Sequence, residues 1–109
     1  MNKILLSASL AFAVVAFAPH AQATSGPGCL YVVNVANGDA LNVRARPNRR
    51  SRIVDRLRPQ RHGIIRLEGK CGPPWKKWGQ RWCPVTHYSG DRVTHGYVKA
   101  RFVRDSDCP

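Results

Sequence analysis

Between Pro73 and Trp82 the chain reads PPWKKWGQRW. Three indoles, Trp75, Trp78 and Trp82, interleave with Lys76, Lys77 and Arg81. Indole faces stack on sugar rings or bases, and the neighbouring cations pair with anionic groups. A second basic run, Arg46-Pro47-Asn48-Arg49-Arg50, lies upstream and has no obvious partner. Together Trp75, Lys76, Lys77 and Trp78, with Arg46, Arg49 and Arg50 supplying charge, make a candidate ligand-binding set. Each half has a plainer reading. Trp75 and Trp78 could instead fold over a small domain and close its core. The arginines could simply be a solvated charged face. Pro73-Pro74 stiffens the approach under either reading.

Catalysis is not expected. Histidines 62, 87 and 95 are the only ones beyond residue 20. His87 and His95 flank a hairpin whose turn at Ser89-Gly90 would set position 87 against 92. They are therefore not opposed and read as exposed polar strand residues rather than as ligands or bases. The six acidic residues are scattered, with no carboxylate pair. No cofactor and no metal site is expected, because no Cys-x-x-Cys pair exists among Cys29, Cys71, Cys83 and Cys108.

An even number of cysteines in a short chain reads instead as two disulfides of an exported protein. Four cysteines allow three pairings. The favoured one joins Cys71 to Cys83, in neighbouring segments, and Cys29 to Cys108, at the two ends of the domain. The N-terminus supports export. Met1-Asn2-Lys3 is basic, Ile4 to Ala18 is an uncharged apolar run, and Ala21-Gln22-Ala23 has the small-x-small form of a cleavage site. Residues 1–23 thus read as a signal peptide and residues 24–109 as one small domain, periplasmic or secreted. The apolar run falls short of the ~20 residues of a membrane span, so no transmembrane segment should survive cleavage.

The formal net charge is +12, from 18 basic and 6 acidic side chains, and loss of Lys3 lowers it by one. Such a field attracts anionic partners. Outside the cytoplasm these are anionic glycans, peptidoglycan carboxylates and lipid phosphates. Nucleic acid fits the charge but is disfavoured by export.

The elements that must position these residues are strands. LYVVNVA (residues 30–36), LNVR (41–44), GIIRLEG (63–69), RWCPVTHY (81–88) and RVTHGYVK (92–99) are β-branched or alternating. Asn37-Gly38-Asp39 turns the chain into Leu41. RIVDRL (52–57) is either one helical turn or a short strand, and Lys70 to Gln80 is a long loop. Ala100 to Val103 finishes the domain, followed by a polar tail. Alternation places Leu41, Val43, Ile65, Leu67, Val85 and Val98 inward. No amphipathic run is long enough for a stable helix, so the fold class is all-β, a small barrel or sandwich.

LNVRARPN, then IVDRL, GIIRLEGKC, RWCPV and HGYVKARFV, in that order, resemble the bacterial SH3-like (SH3b) domain. The match covers about residues 30–103 and rests on Leu41, Asn42, Val43, Arg44, Pro47, Trp82, Val85, Gly96, Tyr97, Val98, Phe102 and Val103. The resemblance implies an SH3-like barrel of five to six strands, here with two disulfides, that binds ligands without catalytic machinery. It also implies a ligand site that includes Tyr97, where the family usually carries Trp. The long loop between Cys71 and Cys83, with two additional tryptophans, lies outside the motif. Trp82 and Pro84 should face outward from their strand, opposite Cys83 and Val85, with Arg44 stacked on Trp82 as a cation–π pair. The expected function is an exported non-catalytic binding module for cell-envelope polymers, peptidoglycan or anionic glycan. The alternative is a secreted protein that binds or inhibits a protein partner.

Overall fold

β-Branched and apolar residues in short alternating runs form seven strands in the computed structural model, which describes residues 28–109. They are β1 (Gly28–Val32), β2 (Leu41–Arg44), β3 (Ile53–Leu57), β4 (Ile64–Leu67), β5 (Trp82–Ser89), β6 (Arg92–Lys99) and β7 (Val103–Ser106). Two single 3-10 turns, Trp78–Gln80 and Ala100–Phe102, are the only helical elements among the described residues. The leader and its cleavage site lie outside the described residues.

All strands join one antiparallel sheet in the order β3-β2-β6-β5-β4-β1-β7. This corrects the expected five or six strands. The additional strand is β7: Arg104, Asp105 and Ser106, expected to lie in a polar tail, continue from Val103 and pair with β1 from Cys29↔Ser106 to Val32↔Val103. The choice left open for residues 52–57 falls to a strand, because Leu41↔Leu57 pairing buries Leu57 against β2. No ladder joins the edge strands β3 and β7, so hydrogen bonding leaves the sheet open.

The ends of β1 also differ from expectation. The strand stops at Val32, because Asn34 takes a left-handed φ of 58° and its amide donates to the Arg101 carbonyl. Asparagine tolerates that conformation better than most residues. The Asn37-Gly38 turn does form, with the Asp39 N–H donating to the Ala36 carbonyl. It does not make a hairpin, since β1 pairs with β4 and β7 rather than β2. In the β5–β6 hairpin the register is Ser89↔Arg92, so Gly90 and Asp91 form the two-residue turn. Gly90 adopts φ 60°, as the first central position of such tight turns favours. His87 consequently faces Thr94 instead of position 92.

The six residues expected inside, Leu41, Val43, Ile65, Leu67, Val85 and Val98, are all buried. Leu30, Val32, Leu57, Ala100 and Val103 complete the same cluster with the Cys71 and Cys83 side chains. Burial of each large aliphatic side chain contributes about 1.5–3 kcal/mol before chain entropy is counted. Both favoured disulfides are present, Cys29–Cys108 and Cys71–Cys83. Close approach requires glycine at position 96: a Cβ on Gly96 would stand 2.6 Å from the Arg44 carbonyl oxygen and from Val43 Cγ1. Gly96 therefore lets β2 cross β6 at the Arg44↔Tyr97 pair.

The sheet curls strongly. Asp55 on β3 and His87 on β5 are separated by two intervening strands, yet their side chains meet at 2.6 Å.

Candidate functional site: a basic cleft over Trp82

Alternation along β5 turns Trp82 and Pro84 outward and sends Cys83 and Val85 into the core. The register Trp82↔Lys99 and Pro84↔Tyr97 brings two β6 side chains onto the same outer face. Lys99 Nζ lies 4.8 Å from the centre of the Trp82 ring, a cation–π contact of about 0.5–2 kcal/mol. The expected stacking of Arg44 on Trp82 is not the contact that forms. Arg44 Nη1 donates to the Ser51 carbonyl at 3.0 Å and so ties down the loop after β2. Lys99 takes the place over the ring because it stands directly across from Trp82 in the ladder.

Trp82 borders an open cleft of about 380 Å³ between the outer face, the segment from Asn34 to Asn42 and the Ala100–Phe102 turn. Arg44, Arg49, Lys99 and Arg101 line it with Phe102. Arg101 carries its guanidinium 5.7 Å from the Phe102 ring centre. The one acidic residue in the lining is Asp39, whose Oδ1 accepts the Ala40 N–H. Among the described residues the ion pairs all involve Asp55, which lies elsewhere. The cleft cations thus lack a carboxylate partner. The Lys99 ammonium is held below its ordinary pKa, first by burial and then by the charges of Lys76, Arg49 and Arg101. An anion entering the cleft would relieve that repulsion.

The sequence-predicted residues divide. Arg49 lines the cleft and Lys76 contributes to its field. Arg46 and Arg50 are exposed in a loop organised by its own polar groups: the Arg46 N–H donates to Ser51 Oγ and the Arg50 N–H to Asn48 Oδ1. Tyr97 is half-buried and borders a smaller hollow with Glu68, Pro84 and His95. Lys77 is exposed. Trp75 is 81% exposed and Trp78 is 40% exposed, so neither closes the core. Trp78 borders a second open depression with Tyr31, Arg101 and Arg104. Arg81 is not available to a ligand in the way its position suggested. Its Nε donates to the Lys76 carbonyl at 2.9 Å and its Nη2 to the Pro74 carbonyl at 2.8 Å, bracing the loop from within.

Lys99, Arg101 and Phe102 escaped the sequence reading as site residues. Trp82 was already placed outward, and the hairpin register was the signal needed to find Lys99 opposite it. Arg101 and Phe102 depend on the Ala100–Phe102 turn, whose docking has no local signature.

His87 is the clearest correction. It is buried rather than exposed, because its parity on β5 is that of Val85. Nδ1 donates to Asp55 Oδ2 at 2.6 Å, and Nε2 donates to the His62 carbonyl. Oxygen acceptors facing both ring nitrogens fix the orientation of the imidazole. With both nitrogens engaged, His87 presents no lone pair to a substrate. His95 shares a hydrogen bond with Thr86 Oγ1 at 2.9 Å. What the outer-face arrangement can do chemically is bind: four cations, two aromatic rings and an opening to solvent.

No protein-family model, no curated protein and no solved structure matches the chain.

Proposed function

We propose that the protein is an exported, non-catalytic binding module for an anionic cell-envelope polymer, peptidoglycan or an anionic glycan, built on an SH3-like barrel. The observation that carries this reading is the cleft over Trp82. Arg44, Arg49, Lys99 and Arg101 line it around Trp82 and Phe102, without a carboxylate to neutralise them. Aromatic surface with unpaired cations suits a chain of sugar rings that bears carboxylate or phosphate groups. The rolled sheet, with β3 brought to β5 through Asp55 and His87, and the close crossing at Gly96 support the barrel reading. Two disulfides support an oxidising compartment, and no helix among the described residues is long and apolar enough to cross a membrane.

The test is co-sedimentation with purified peptidoglycan and titration with a soluble anionic glycan, set beside capture from a soluble protein extract. The reading expects saturable binding to the polymers that weakens as salt rises and drops on Lys99→Ala with Arg101→Ala. Binding only to proteins of the extract would replace it with the protein-partner reading.

A further inference from the structure

The loop between Cys71 and Cys83 has a feature that the cleft does not use. Its tip holds Trp75 almost wholly in water, at 81% exposure, although the loop itself is stiff. A disulfide closes its base. Gly72 and Trp82 exchange both backbone hydrogen bonds, at 2.9 and 2.8 Å. The Lys76 N–H donates to the Pro73 carbonyl, and Arg81 holds the Pro74 and Lys76 carbonyls. An exposed indole on a pre-ordered loop loses little further entropy when it docks.

Shape and charge narrow the partner. Trp75 lies outside the cleft over Trp82, the Trp78 depression and the Tyr97 hollow. At 81% exposure most of its ring is open to solvent. From Gly69 to Trp82 the sequence carries Lys70, Lys76, Lys77 and Arg81 and no acidic residue. Lys76 and Lys77 follow the indole directly and are exposed. An exposed amphipathic ring flanked by cations matches a broad anionic interface that is apolar a few ångströms below its surface. Indoles settle at the headgroup level of bilayers, and lysines reach lipid phosphates beside them.

We propose that the Trp75 loop is a peripheral anchor for a lipid surface carrying anionic headgroups, separate from the polymer cleft. Trp75 enters the headgroup layer while Lys76 and Lys77 pair with phosphates. The excess of basic over acidic side chains, 18 against 6 in the full sequence, draws the molecule to that surface from a distance.

The test uses the oxidised chain of residues 24–109, which contains all seven described strands. It is co-sedimented with vesicles of phosphatidylglycerol and phosphatidylcholine, and with phosphatidylcholine alone. The expected result is binding to the anionic vesicles only, with a blue shift of tryptophan emission. Trp75→Ala should weaken it about tenfold. Lys76→Ala with Lys77→Ala should weaken it about twentyfold at low salt and less at high salt. Lys99→Ala with Arg101→Ala, which should disable the cleft, should leave the tenfold Trp75 effect intact; failure of polymer binding would leave this result standing. Absence of anionic-vesicle binding overturns the proposal. So does vesicle binding that Trp75→Ala does not change, since that is adsorption by overall charge. A Trp75→Ala variant that loses glycan but keeps vesicles would overturn it in favour of sugar stacking.

Discussion

Asp55 Oδ2 and His87 Nδ1 stand 2.6 Å apart across the inside of the curled sheet, on strands with two others between them. Both side chains are largely shielded from water. The pair therefore joins β3, an edge strand, to the middle of the sheet where no backbone ladder reaches. The second ring nitrogen donates to the His62 carbonyl, so the same imidazole also holds the β3–β4 connection.

Removing one partner should be costly. Asp55→Asn puts a neutral amide where the carboxylate faces His87 Nδ1, and loss of a partner from a buried pair costs about 3–5 kcal/mol. Urea unfolding followed by far-UV circular dichroism measures it. A loss under about 1 kcal/mol would show that the pair does not hold β3 in place.

Stability should also fall in acid by a route specific to Asp55. Burial raises its pKa, but the hydrogen bonds from His87, the Arg56 N–H and Thr94, with the His87 charge, lower it further, and the net result lies below the ordinary 3.8. A carboxyl lowered on folding contributes stability that is present above its unfolded value and lost as pH falls through the folded one. The stability gap between the wild type and Asp55→Asn should hold above about pH 4 and narrow below it. A gap unchanged from pH 6 to pH 2 would contradict the assignment.

The two disulfides should differ in weight. The Cys29–Cys108 bridge spans 79 residues and Cys71–Cys83 spans 12. In the chain-entropy picture they contribute about 4.5 and about 3 kcal/mol. Paired Cys→Ala variants should therefore rank in that order by thermal midpoint. Loss of the shorter bridge should in addition expose Trp75–Gln80 to limited proteolysis, because it frees the base of the Trp75 loop. Equal protease resistance would mean that the Arg81 and backbone hydrogen bonds hold that loop without the bridge.

Gly96→Ala should destabilise the domain by about 1–3 kcal/mol, as overpacking does. The new methyl would meet a backbone oxygen at 2.6 Å, which cannot rotate away. Gly38→Ala, with open space around its Cβ, is the matched control and should change little. Similar denaturation midpoints for the two variants would count against the close β2–β6 crossing.

Trp78→Ala separates surface from core. With Trp78 40% exposed, the variant should fold and lose about 1 kcal/mol or less, mostly the contact with Arg81 at 5.7 Å. Global unfolding would contradict that placement.

The chain by itself determined the parts that depend on neighbours along it. Alternation placed Leu41, Val43, Ile65, Leu67, Val85 and Val98 inward, because side chains on a strand change face at every residue. Cysteine number and position were enough to favour the two bridges that form. The outward orientation of Trp82 was legible for the same reason as the core. Tertiary structure alone decided the rest. A one-step shift of the hairpin turn set the partners of His87 and Lys99, and sequence does not count that step reliably when Ser89, Gly90 and Asp91 all suit a turn. Strand β7 exists because β1 offers an open edge, which no property of Val103–Ser106 announces. Whether Trp75 is core or surface depended on whether the strands already fill the interior. They do, and Arg81, spent on the Pro74 and Lys76 carbonyls, holds the loop with that indole in water.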